Sequence, residues 1–158
     1  MTVIEYVTEE VRRQGHDVLN LDGIERVGWM LDAWSLAIRS RKARLDAGRD
    51  PYFSFLTIER LGSLVEQDKN KKGFRTCGVR VGFRVCPDYQ EVPRLLNRLL
   101  DNIETMRPLE FYKAFEEIHP FVDGNGRTGK ILLNWLNGTL LNPIFPPNDL
   151  WGDPSVNP

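Results

Sequence analysis

The sequence predicts one all-α domain carrying a small β-hairpin, and three observations carry that prediction. Apolar residues recur at helical spacing over most of the 158 residues, most cleanly in Val92, Leu95, Leu96, Leu99, Leu100, Ile103 and Met106. One stretch switches to a period of two, with Val79, Val81, Phe83 and Val85 alternating with Arg80, Gly82 and Arg84, as in a half-buried strand or short hairpin. The length suits about one domain with a real core, and no repeat or linker divides it. A net charge of −1 argues against a dedicated nucleic-acid or membrane-surface binder. No apolar run approaches the roughly 18 residues of a transmembrane helix, and residues 1–20 are too polar for a secretory signal, so the expected location is the cytoplasm. Cys77 and Cys86 are accordingly read as free thiols.

Taken in order, Val3, Ile4, Tyr6, Val7 and Val11 predict a short helix ending at Gly15, and His16 reads as a surface or capping residue. Asp22 introduces a longer helix through Ile24, Val27, Leu31, Trp34 and Ile38, whose basic end (Arg39, Arg41, Lys42, Arg44) complements the helix dipole. After a turn at 48–51, Phe53, Leu56, Leu61, Leu64 and Val65 predict a helix to about Gln67, followed by a charged loop over 68–73. The hairpin comes next, then the helix from Val92, with Pro93 suited to its first turn. Arg107-Pro108 interrupts before Leu109, Tyr112, Phe115 and Ile118 build the helix leading to His119. Ile131, Leu132, Trp135, Leu136, Thr139 and Leu140 predict a largely buried last helix, and residues 143–158 a Pro-rich tail after a single domain over 1–142.

Residues 119–130, His-Pro-Phe-Val-Asp-Gly-Asn-Gly-Arg-Thr-Gly-Lys, hold the chemistry. Pro120 disfavours helical geometry at His119, so the preceding helix ends there and presents the imidazole at its edge. Gly124 and Gly126 let the backbone aim N–H groups at an anion, and the next helix, expected to start near Arg127, adds its own unpaired N–H groups. Arg127 and Lys130 lie three apart, able to face one ligand. Gly124 to Lys130 also fits the first seven positions of a Walker A loop, but Ile131 stands where that motif needs Ser or Thr, and the run before it is helical. By side-chain chemistry, His119 is the plausible base, Asp123 a hard oxygen ligand for Mg²⁺, and Arg127 a two-oxygen grip for phosphate.

His119, Phe121, Asp123, Gly124, Asn125, Gly126 and Arg127 match HxFx(D/E)GNGRxxR, and by this motif the chain resembles the Fic (filamentation induced by cAMP) domain family. Residues 73–81 look like the family's flap, taken here as 73–86, and the resemblance covers about 70 residues. It implies a Fic-like helical bundle whose hairpin lies over the motif loop, and Mg²⁺-dependent transfer of AMP from ATP to a Ser, Thr or Tyr hydroxyl of a target protein. The implied roles are His119 as base, Asp123 on the metal, Asn125 on the α-phosphate, Arg127 on the β-phosphate and the Gly124 and Gly126 region on phosphate oxygens. Arg75, Thr76, Cys77, Gly78 and Val79 become the segment that pairs with the target by strand addition.

Lys130 departs from the family's second Arg, which implies γ-phosphate contact; it keeps the charge and loses the planar fork. The family's self-inhibitory pattern (S/T)xxxE(G/N) is missing, because no Glu here is followed by Gly or Asn. Restraint is then expected from a separate antitoxin-like protein, from another device, or not at all. The alternatives are a phosphotransferase or phosphocholine transferase on the same fold, or a non-catalytic module binding a nucleotide or a protein strand.

Overall fold

The computed structural model describes residues 1–151. Helix α1 (Val3–Arg13) starts in a capping box, with the Thr2 hydroxyl accepting from the Glu5 N–H and the Glu5 carboxylate accepting from the Thr2 N–H. Helix α2 (Leu21–Asp46) is capped by Asn20, two residues ahead of the expected Asp22, and α3 (Phe55–Val65) by Ser54. The ribbon pairs β1 (Arg80–Val81) with β2 (Arg84–Val85) antiparallel, Arg80 opposite Val85. Helix α4 (Val92–Asp101) has Pro93 in its first turn; α5 (Pro108–Ile118) and α6 (Asn125–Asn137) flank the motif loop. The fold is thus mostly helical with one small hairpin, as the periodicities predict.

Helix α6 is the centre of the bundle. Every residue from Asn125 to Trp135 is buried, because α2, α3 and α5 all pack on it. Two tryptophans tie connections to this core by their indole N–H groups: Trp34 donates to the Leu140 carbonyl at 2.8 Å, and Trp135 donates to the Pro51 carbonyl. Glycine sets two close approaches. A Cβ on Gly62 of α3 would lie 2.0 Å from the Phe121 ring, and one on Gly129 of α6 would lie 2.4 Å from Oε1 of Glu116 on α5. The first absence lets α3 close on the motif loop, and the second lets α6 close on α5.

Three expectations shift. The face that α2 buries is Gly23, Arg26, Met30, Ala33, Trp34 and Ala37, while Ile24 is exposed and Val27, Leu31 and Ile38 only flank the core. Gly23, Ala33 and Ala37 make up half of this face, and a stripe read from large apolar side chains keeps Trp34 but misses them. The Val92–Met106 pattern breaks after Asp101 into a separate 3-10 turn, Ile103–Thr105. The flap has regular pairing only at 80–85, the rest of 73–86 being irregular.

The Pro-rich segment starts as packed structure. Asn134 of α6 accepts from the Ile144 N–H and donates to the Ile144 carbonyl, and Phe145 stacks 4.0 Å from the Tyr6 ring with the Arg13 guanidinium over its other side. Residues 152–158 of the expected tail lie outside the described residues. Cys77 is exposed, Cys86 is buried, and both are free thiols. Among the described residues no helix is long and apolar enough to cross a membrane.

Candidate active site

His119 caps α5 in a left-handed conformation (φ 52°, ψ 62°), the one positive φ outside glycine among the described residues. Pro120 excludes the helical alternative, and the cost, of order 1–3 kcal/mol, is borne by the contacts that hold the turn. Chief among these is Arg75. Its Nε donates to the His119 carbonyl at 2.8 Å, and its other nitrogens donate to the carbonyls of Ile118, Cys77 and Pro87. Its main-chain N–H donates to the Pro120 carbonyl at 2.9 Å. Arg75 is only 3% exposed, so the expectation that it faces a target is corrected: it is the pin between flap and motif loop.

Asn125 closes the loop from the other side. Its Oδ1 accepts from the Phe121 N–H and its Nδ2 donates to the Phe121 carbonyl, both at 2.9 Å and buried. The side-chain amide is therefore committed to the loop, and what Asn125 can offer the phosphate expected of it is its main-chain N–H at the first position of α6. Gly124 takes the left-handed conformation (φ 74°), as expected; Gly126 does not, because α6 starts at Asn125 rather than near Arg127. The N–H groups of Asn125, Gly126 and Arg127 thus lack intrahelical acceptors. They form an anion-seeking end with the helix dipole behind them.

The charged side chains separate into an open set and a buried set. Asp123 is partly exposed: Oδ1 accepts from the Gly124 N–H at 2.7 Å, and Oδ2 accepts from the Lys69 ammonium at 3.1 Å. Burial pushes this carboxyl up, but Lys69, the Gly124 N–H and Arg127 together hold it below the usual carboxylate range. Arg127 is buried, 3.2 Å from the Val65 carbonyl, 3.5 Å from Glu66 and 3.7 Å from Asp123. Glu66 in turn sits 3.5 Å from Arg26, which pairs with Asp22, itself in contact with His16. Lys130 does not share a ligand with Arg127. It is buried, its Nζ 2.9 Å from Oε1 of Glu10 on α1, which corrects the expectation drawn from their spacing. Nothing local in the sequence marks Glu10 or Glu66 as partners of the motif, since both come from other helices.

His119 is partly buried, with Nδ1 3.3 Å from the Glu116 carbonyl and Nε2 unpartnered among the described residues. Burial holds the imidazole below its ordinary value, which favours its neutral form, with the Glu116 carbonyl opposing. His119, Asp123, Gly124, Asn125 and Gly126 line one recess of about 270 Å³, closed by Gln14 of α1 and by Arg80 of the hairpin. A larger groove of about 640 Å³ runs between α4 and α5 past Leu95, Leu99 and Met106, but it holds none of the motif's polar groups. Over the recess, Arg84 donates to the Glu117 carbonyl at 3.0 Å and fastens the hairpin to α5. Thr76, Cys77 and Gly78 are exposed, and their N–H groups have no partner among the described residues; the Val79 carbonyl is taken by the Cys86 N–H at 3.1 Å.

Among the described residues no group of three or more His, Cys, Asp or Glu could hold a metal by itself. Among the described residues Asp123 is the one carboxylate on the recess, and Lys69 already places a positive charge against it. That donor set fits Mg²⁺ arriving with a polyphosphate, because Mg²⁺ takes one or two carboxylates and fills its remaining positions with phosphate oxygens and water.

The chain is 41% identical over 64 residues to a probable protein adenylyltransferase of Aquifex aeolicus, covering 34% of this chain and 20% of that protein. It is 34% identical over 84 residues to the protein adenylyltransferase Fic of Drosophila erecta, covering 47% of this chain and 16% of that protein. It therefore spans a fifth or less of these relatives. A crystal structure of a Fic family protein from Desulfovibrio desulfuricans shares the fold with a TM-score of 0.60 and 21% identity, covering 85% of this chain and 44% of that one. The model of the Fic/DOC family matches residues 52–137, more than half of the sequence, and the chain belongs to that family.

Proposed function

We propose that this chain transfers AMP from ATP, with Mg²⁺, to a hydroxyl side chain of a target protein. One observation carries the reading: an unpartnered imidazole nitrogen, a carboxylate and a helix N-terminus open into the same recess. At about 270 Å³ the recess is at the small end for ligand sites, enough for a polyphosphate with its nucleoside in the open. The N–H groups at the start of α6 take phosphate oxygens, Arg127 lends positive charge from behind, and Asp123 holds the cation. Mg²⁺ supplies charge neutralisation on the polyphosphate. The target oxygen forms its bond to the α-phosphorus as the bond to the bridging oxygen breaks, and pyrophosphate leaves. His119 takes the hydroxyl proton on Nε2, which its neutral state allows. The exposed Thr76–Gly78 backbone offers the target a strand to pair with.

Relatives named protein adenylyltransferases support this reading at the level of the family. The test is incubation of wild type and His119→Ala with ATP labelled in the α-phosphate and a lysate of candidate targets. Label passes to protein with the wild type and falls at least about 100-fold in the variant. Since the imidazole must be neutral, the wild-type rate is flat above pH 7 and declines only at a pH under the ordinary histidine value. Transfer of γ-label instead would identify a phosphotransferase, and label on neither a binding module.

A further inference from the structure

We propose that Lys69, and not Lys130, is the second cation of the polyphosphate site. The inference rests on the nucleotide reading above and names a residue outside the motif. A bound triphosphate carries more negative charge than one guanidinium and one divalent cation neutralise, and the position the motif provides for a further cation is Lys130. That ammonium is 2% exposed and lies against Glu10, so it is spent inside the bundle. Withdrawing it would leave the carboxylate of Glu10 buried without its charge partner, which is strongly unfavourable.

Lys69 has the opposite setting. Its side chain is 54% exposed and its Nζ sits 3.1 Å from Oδ2 of Asp123, a residue that lines the recess. The placement is built rather than incidental. The next residue, Asn70, is buried, and its Nδ2 donates to the Asp123 carbonyl at 2.8 Å and to the Gly62 carbonyl at 3.0 Å. The Asn70 N–H also bonds to the Glu66 carbonyl at 3.1 Å. The backbone at 69–70 is therefore fixed to the motif loop itself, while the Lys69 ammonium stays free to move by its four-carbon stem. Asp123 would hold Mg²⁺ with a bound nucleotide, and the Lys69 ammonium, repelled by that charge, would then be free to turn from the carboxylate to a phosphate oxygen. Arg80 edges the recess itself, but from the hairpin and with no carboxylate paired to it among the described residues.

The test is titration calorimetry of Mg–ATP at fixed free Mg²⁺ into wild type, Lys69→Ala, Lys69→Arg and the loop control Lys71→Ala, with thermal melts beside it. Lys69→Ala weakens Mg–ATP binding about tenfold, the scale of one charged hydrogen bond. Lys69→Arg recovers most of it and Lys71→Ala changes it less than about twofold. The melting temperature of the free protein stays within a few degrees in all four, while the rise on adding Mg–ATP shrinks in Lys69→Ala alone. If Lys69 only blocks Asp123, Lys69→Ala binds Mg–ATP more tightly; that result, or unchanged affinity, overturns the assignment. No Mg–ATP uptake by the wild type would instead overturn the nucleotide reading, and this inference with it.

Discussion

The motif loop and the hairpin above it are built in opposite ways. The loop at 119–125 is held from several directions: Arg75 on its carbonyls, Asn125 across its width, Asn70 under Asp123, and the Phe121 ring against Gly62. The hairpin has two residues in each strand, a tip at Gly82 with Phe83 fully exposed, and side-chain bonds from Arg84 to α5. Fixed donors on one side suit a ligand of constant shape, such as a phosphate chain, because preorganised groups need no reorganisation during reaction. A loose strand edge on the other suits ligands that vary, such as segments of protein.

The largest effect expected from this contrast lies at the join. Arg75→Ala leaves four carbonyls without their donor in a buried setting, and equilibrium urea unfolding should show a loss of about 3 kcal/mol. Arg75→Lys should recover only part, since one ammonium cannot reach all four. A loss under about 1 kcal/mol would mean that the loop holds its own shape.

A smaller effect comes from within the rigid half. Glu116, fully buried on α5 behind the loop, has neither oxygen hydrogen-bonded; burial pushes its carboxyl up to about 7, with Lys130 opposing and Glu10 adding to the rise. Its folded pKa lies above its unfolded value, so between about 4.5 and 7 the folded state holds the extra proton and stability falls as pH rises. Glu116→Gln should flatten that slope and add about 2 kcal/mol at pH 8, read from urea unfolding at a series of pH values. An unchanged slope would show that Glu116 is not its source.

How far the sequence alone could be read follows the same division. The spacing within residues 119–127 is local, and so are the helix stop at His119, the left-handed Gly124 and the apolar stripe of α4; each is visible in a window of a dozen residues. The partners of the charged side chains are not local. Glu66 stands 61 residues from Arg127 and Glu10 stands 120 from Lys130, and no pattern in either segment announces the pairing. Arg75 belongs with them: the resemblance puts it with the target-binding flap, and its true partners, the carbonyls of Ile118 and His119, lie more than 40 residues away in sequence. In α2, two alanines and a glycine supply half of the buried face, and their small side chains give a weak apolar signal.

The smallest effect belongs to the hairpin tip. Phe83→Ala should change stability by less than about 0.5 kcal/mol, because the ring touches solvent alone. It should nonetheless lower target labelling severalfold while Mg–ATP affinity stays put; equal labelling would take the tip out of target contact.

Everything proposed for this chain depends on the start of α6 gripping a metal-chelated triphosphate. Titration calorimetry of ATP into the wild-type protein, once with Mg²⁺ and once with the metal chelated, measures that grip without needing the target. The expected result is one-to-one uptake with Mg²⁺ that weakens at least tenfold on chelation. Absence of uptake, or uptake indifferent to the metal, would contradict it.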